Sequence, residues 1–169
     1  LPQVYGQIQK LRSEHPIFYV DTGDTFFDSP VVPDFNLKSA RFKAEKLAEA
    51  MDELGLRVFL PGDQDFALGV EFLSSLAEKH KFQFLISNAK ETLKIKHVKK
   101  IEIKVGKDKF VFVSLLDPSL LKPQFQNFFH PTNHISEIVK GLDPKDKNIL
   151  LSHAGFDFDE KIAKKYEVF

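Results

Sequence analysis

Hydrophobic residues recur at Val4, Ile8 and Leu11, a spacing that puts them on one face of a helix. Residues 17–20 form an unbroken apolar run of strand length that stops at Thr22-Gly23. Ala40, Ala44, Leu47, Met51 and Leu54 then step by fours and threes, which predicts an amphipathic helix. Asn36 or Ser39 could cap its start, and Gly55 stands where a helix C-terminal glycine belongs. Residues 57–60 predict a second strand, broken by Pro61-Gly62. Phe72, Leu73 and Leu76 predict a further helix, and residues 83–87 a third strand. Strands alternating with helices argue for parallel strands joined by crossover helices, an α/β fold.

The middle of the chain changes period. Ile101, Ile103 and Val105 alternate with polar residues, and after Gly106-Lys107-Asp108 the run 110–116 is apolar. That pattern predicts a β-hairpin with one face partly wet. Residues 117–134 read as loop, with Pro118, Pro123 and Pro131. Ile135, Ile138, Val139 and Leu142 predict a short helix, residues 148–152 a buried strand, and Ile162, Ala163 and Tyr166 a last helix. No repeat, low-complexity tract or long linker divides the chain, so residues 1–169 read as one domain.

Charge and composition narrow the function classes. Lys+Arg and Asp+Glu are both 24, so binding to nucleic acid polymers or membrane surfaces through bulk charge is disfavoured. Seven lysines fall between Lys94 and Lys109, which reads first as a solvated face. No apolar run approaches the roughly 20 residues of a transmembrane helix. The absence of cysteine removes disulfides, thiolate metal sites and thiol nucleophiles. With 18 Phe and no Trp, the aromatic residues are expected mostly in the core. The chain starts without Met, so either a targeting segment has been removed or it is an excised piece, and the end at Val168-Phe169 in an expected strand favours the excised piece.

Candidate chemistry lies at three strand ends: Asp21-Thr22-Gly23-Asp24-Thr25, Gly62-Asp63-Gln64-Asp65 and Ser152-His153-Ala154-Gly155. In open α/β sheets, ligands bind beyond the carboxyl ends of parallel strands. These turns would present carboxylates and one imidazole, donors that suit divalent cations and metal-assisted phosphoester hydrolysis. Each turn taken alone has a plainer reading, a strand-end turn whose Asp caps a helix.

Taken together the turns resemble the calcineurin-like metallophosphoesterases, and within them the catalytic domain of the 5′-nucleotidase family. The stretch Phe18-Tyr19-Val20-Asp21-Thr22-Gly23-Asp24-Thr25-Phe26-Phe27-Asp28-Ser29-Pro30 is similar to that family's strand and Gly-Asp motif. Leu85-Ile86-Ser87-Asn88 resembles a later family strand, and Ile149 to Gly155 a strand ending in a metal-binding His. The resemblance implies a layered α-β-β-α sandwich with mixed sheets, in an incomplete copy. It implies metal ligands at Asp24, Asp63 and His153, and two divalent cations (Mn, Zn, Mg or Fe) where the site is complete. It also implies a phosphomonoester or nucleotide substrate, an Asp65 that orients its turn, and a periplasmic or cell-surface location. Asn88 and Ser29 are candidates to meet substrate, with a turn residue and a cap as their plainer readings, and Asp21 is a candidate support for the site, with a solvent-facing strand end as its plainer reading.

One departure is plain. The family motif Gly-Asn-His-Glu/Asp appears here as Gly62-Asp63-Gln64-Asp65. Gln64 stands at the catalytic histidine position but has no titratable proton near neutral pH. A general acid there is typically worth about 10²–10⁴ in rate. Two more family motifs, an Asp-x-His on a first strand and a Gly-His-x-His on a C-terminal strand, are not in these residues. Two readings follow: a metal-dependent phosphoester hydrolase impaired by Gln64, or an inactive binding or structural module on the same fold. His130 and His134 read as loop residues, and His15, His80 and His97 as surface. Asp157 and Asp159 read as caps of the last helix.

Overall fold

The computed structural model describes residues 2–122 and 127–169. Pro123, among the prolines expected in a loop, lies outside the described residues. In chain order the elements are α1 (Pro2–Glu14), β1 (Tyr19–Asp21), α2 (Leu37–Glu53), β2 (Leu56–Phe59), α3 (Gly69–Lys79) and β3 (Gln83–Phe84), followed by β4 (Ile101–Val105), β5 (Asp108–Leu116), α4 (Pro131–Lys140), β6 (Lys147–His153) and α5 (Phe156–Lys165). The strands form two sheets, β1-β2-β3 and β4-β5-β6. The first is parallel throughout. In the second, β4 runs antiparallel to β5 and β6 runs parallel to it, so this sheet is mixed.

The layering follows from which faces are apolar. In α2 the predicted Ala44 and Met51 are buried together with Ala48, and in α3 the predicted Phe72, Leu73 and Leu76 are buried together with Ala77. These pack with Val58, Phe59 and Phe84 of the first sheet and with Ile101, Phe112 and Leu116 of the second in one large core. On the far face of the second sheet, Leu115 packs with Ile135 of α4 and Ile162 of α5. Helices therefore cover both outer faces, which is the expected α-β-β-α sandwich. Phe supplies much of the inner layer: Phe59 meets Phe26 at 4.9 Å, Phe84 at 5.1 Å and Phe82 at 6.0 Å between ring centroids. Gly55, at φ 75°, ends α2 in the left-handed region, and there the Arg12 guanidinium donates to the Leu54 carbonyl and ties α1 down.

A polar seam sews the two sheets together inside this core. Ser114 Oγ donates to the Leu85 carbonyl at 2.8 Å and accepts from Ser87 N at 3.0 Å. Ser114 N donates in turn to Ser87 Oγ at 2.8 Å. Burying hydroxyls is costly unless they are paired, and here each has a partner.

Four features differ from those expected from the sequence. β1 starts at Tyr19 rather than residue 17, and β3 keeps only two paired residues before Leu85 bridges Val98 in parallel. α4 begins at Pro131, inside the stretch read as loop. Proline fits the first turn of a helix because no amide hydrogen is needed there, and His130 Nδ1 accepts from Thr132 N at 3.3 Å as the cap. His80 is not at the surface: its side chain is 4% exposed, stacked on Phe82 at 5.4 Å, with Nδ1 3.6 Å from Asp52 Oδ2.

Candidate metal centre

The carboxyl ends of β1, β2 and β6 meet at one rim, so the site draws on both sheets. Asp24 lies three residues past β1, Asp63 four past β2, and His153 is the last residue of β6. One ligand atom from each lies within 4.8 Å of the other two. His153 Nε2 stands 3.2 Å from Asp63 Oδ1 and 3.6 Å from Asp24 Oδ2. The three side chains keep 19–27% of their accessibility, enough to meet a ligand from solvent.

Two glycines allow this approach. A Cβ on Gly23, at φ +93°, would stand 2.1 Å from Gly62 N, so the two strand-end loops touch backbone to backbone. A Cβ on Gly62 would stand 2.2 Å from Asp24 Oδ1 and 2.6 Å from His153 Cε1. Asp24 itself is held at φ 57°, a left-handed conformation that non-glycine residues adopt at an energetic cost.

Asp65 sustains that conformation. Its Oδ1 accepts from Thr25 N at 3.0 Å and Phe26 N at 2.9 Å, and its Oδ2 from Asp24 N at 2.8 Å and Gly62 N at 2.9 Å. Burial pushes the Asp65 carboxyl up to about 6 from 3.8, against the pull of the four amides. At pH 7 it is still mainly ionised, so all four donors face a full acceptor. Asp21 fixes the loop from the other side: its Oδ1 accepts from Gly23 N at 3.0 Å and from the Thr25 hydroxyl at 2.8 Å.

The ligand atoms of this cluster suit a cation. His153 Nδ1 lies 2.9 Å from the Thr22 carbonyl. A carbonyl only accepts, so Nδ1 carries the proton. In the neutral ring the Nε2 lone pair then faces two carboxylate oxygens. In that neutral form three acceptors converge, a set of two carboxylates and an imidazole that can ligate a divalent cation.

Gln64 opens a 3-10 turn that runs to Leu68. Its backbone N–H donates to Asp24 Oδ1 at 3.0 Å, and its side-chain Nε2 donates to Asp24 Oδ2 at 3.1 Å. The amide is thus engaged with a candidate ligand.

Both residues expected to meet substrate accept hydrogen bonds from backbone amides. Asn88 is fully buried; its Nδ2 donates to the Leu116 and Phe129 carbonyls at 2.7 Å each, and its Oδ1 accepts from Leu116 N at 3.1 Å. Its amide is thus engaged with interior backbone. Asn88→Ala is expected to cost about 2–3 kcal/mol, from stranding several buried partners. A denaturant melt checks that figure, and metal affinity should stay unchanged. Ser29 is exposed, accepts from Val31 N at 3.2 Å, and lines a cavity of about 220 Å³ with Phe27, Asp28 and Lys43. Asp28 pairs with Lys43 at 3.0 Å.

His130 caps α4, while His134 stacks on Phe129 at 4.8 Å. Asp159, in the first turn of α5, accepts from Ser152 Oγ at 2.5 Å. Sequence reasoning missed the Thr22 carbonyl as the group that orients His153. A backbone acceptor leaves no mark in residue type.

No family model matches this chain, and no curated protein matches it in sequence. Solved structures do match its fold. The chain aligns with the NAD nucleotidase of Haemophilus influenzae over 95% of its length, at 22% identity and TM-score 0.74. A 5′-nucleotidase precursor from Thermus thermophilus aligns over 94% at 20% identity, TM-score 0.68. A calcineurin-like phosphoesterase from Bacillus subtilis aligns over 92% at 17% identity, TM-score 0.65. The chain spans 29%, 32% and 54% of those three proteins' own lengths. It therefore carries the metallophosphoesterase fold, over a part of the length of such proteins. No helix among the described residues is long and apolar enough to cross a membrane.

Proposed function

We propose that this chain is part of a metal-dependent phosphoester hydrolase acting on nucleotides or similar phosphomonoesters. The observation that carries the reading is the meeting of Asp24 Oδ2, Asp63 Oδ1 and His153 Nε2 at one partly open rim. The nucleotidase and phosphoesterase structures of the same fold support the substrate class.

Asp24, Asp63 and His153 would hold a divalent cation. Such an ion, when bound, polarises a phosphoryl oxygen and makes bound water more acidic. The chain's own groups set the conditions for this. Thr22 orients the imidazole, and Asp65 and Asp21 hold the loop that carries Asp24. Gln64 keeps the Asp24 carboxylate in place, and being neutral it moves no proton. Protonation of a leaving alkoxide therefore falls to water, which predicts slow turnover on poor leaving groups.

A second reading has its own observation. The amide of Gln64 is turned onto Asp24 rather than outward, which suits a cation-binding module without hydrolysis. Both readings meet one assay: Mn²⁺ binding, and Mn²⁺-dependent hydrolysis of a chromogenic phosphomonoester. The hydrolase reading expects a rate that falls tenfold or more in Asp24→Ala with unchanged circular dichroism. Metal binding without turnover in the full-length protein would establish the module instead. Absence of both would remove the metal centre altogether.

A further inference from the structure

We infer that the cavity at the start of β3 binds a small aromatic anion, with the imidazole of His80 as its buried polar contact. The cavity is separate from the metal cluster. In the parallel first sheet, α2 and α3 end where β2 and β3 begin, opposite the carboxyl rim that carries Asp24 and Asp63.

Strand alternation builds its wall. His80, Phe82 and Phe84 fall at every second position, which places them on one face of the chain as it enters β3. Their rings form a row. His80 stacks on Phe82 at 5.4 Å with 7° between planes, and Phe82 on Phe84 at 5.8 Å with 24°. Val98 N donates to the Phe84 carbonyl at 2.9 Å and brings residues 96–98 against this edge. Together these segments line a cavity of about 430 Å³. Sites for small ligands typically measure about 300–1,000 Å³ and combine apolar walls with a few placed polar groups.

His80 supplies the polar group. Its side chain is 4% exposed, and Nδ1 stands 3.6 Å from Asp52 Oδ2. Asp52 is itself fixed, its Oδ1 accepting from Lys81 N at 3.2 Å. With Nδ1 on the Asp52 side, Nε2 faces away from that carboxylate. It is buried and has no hydrogen-bond partner among the described residues. Buried polar atoms are normally paired, so an unpaired nitrogen on a residue that lines a cavity points to a ligand atom.

The rim sets the charge of that ligand. Lys81 and Lys96 line the cavity, are exposed, and pair with no carboxylate among the described residues. No acidic residue lines it. In a chain whose Lys+Arg and Asp+Glu are both 24, a rim whose charged groups are all cationic is a local departure. An anionic group can accept from both ammonium groups and from a protonated Nε2. A flat ring can lie against the row of His80, Phe82 and Phe84.

The test is a titration of the full-length protein with benzoate, followed by ligand-observed NMR. Benzyl alcohol serves as the ring without the charge, and acetate as the charge without the ring. Benzoate is expected to saturate, with both controls at least about tenfold weaker. Lys81→Gln combined with Lys96→Gln, both at exposed positions, should weaken benzoate about tenfold or more and leave the urea melt unchanged. His80→Phe keeps the row of rings, removes the nitrogen, and should weaken benzoate to a similar extent. With the histidine ring nitrogens isotopically labelled, benzoate should shift the signal that is missing from His80→Phe. Should His80→Phe fail to fold, the lysine variant and the labelled ring decide. Benzoate that does not saturate, that is matched by either control, or that binds either folded variant as it binds wild type would overturn the inference. None of these readouts involves a metal or turnover, so the metal reading stands or falls separately.

Discussion

Asp65→Ala is expected to destabilise the chain by about 4–5 kcal/mol, the largest stability loss from a single polar side chain outside the metal cluster. The substitution strands the amide hydrogens of Asp24, Thr25, Phe26 and Gly62, all of which now end on one carboxylate. Each buried donor left without an acceptor costs about 1–3 kcal/mol, and some of the four will find water in the space vacated. The release of a buried carboxylate from its apolar surroundings offsets part of the loss, because burial already pushes that group up to about 6. Asp65→Asn gives an internal comparison. It keeps one oxygen, which can satisfy two of the four amides, and turns an NH₂ toward the others. It should recover roughly half of the alanine loss. Urea melts of the three proteins at pH 7 measure this series. A loss under about 1 kcal/mol in the alanine variant would mean that the loop is held by something else.

Gly62→Ala is expected to lower metal affinity by a hundredfold or more. Removing a group that merely orients a metal ligand typically costs about 10–100-fold. Here a methyl would stand 2.2 Å from Asp24 Oδ1, 2.6 Å from His153 Cε1 and 2.7 Å from Asp24 N. Those contacts involve two ligands and a piece of backbone, so relief requires moving the site itself. Gly62 does not have the positive φ seen at Gly23 and Gly55, so the backbone accepts alanine and the effect is one of contact. The accompanying overpacking should cost about 1–3 kcal/mol of stability. Calorimetric Mn²⁺ titration of the variant, with a urea melt alongside, separates the two. Affinity within tenfold of wild type would show that the loops yield more easily than their packing implies.

Much of the architecture was legible because hydrophobic periodicity reports local structure directly. The stripe Ala44, Leu47 and Met51 belongs to a helix in any context, and Ile101, Ile103 and Val105 to a strand. Gly55 marked the end of α2 for the reason now visible, a left-handed residue that glycine adopts freely. The start of α4 was less legible, because Pro131 punctuates a loop as readily as it opens a helix. His80 misled because its sequence neighbours are polar while its spatial neighbours are Phe82 and Asp52.

The candidate site divides along the same line. Residue types and order at the strand ends pointed to Asp24, Asp63 and His153, and the resemblance assigned them a metal. That the three come within one ligand distance depends on strands from two different sheets ending at the same rim. Asn88 divides in the same way. Its motif made it a candidate to meet substrate, and the fold engages its amide with the Leu116 and Phe129 carbonyls.

By itself the amino-acid order determined the elements, the layers they can form and the kinds of ligand available, since all of these follow from side-chain character and its repeat along the chain. Only the tertiary structure decided that Gln64 closes on Asp24, that Asp65 gathers four amides, and that a carbonyl at Thr22 sets the imidazole. Those are contacts between segments about 40 to 130 residues apart, and their geometry comes from packing that no local pattern encodes.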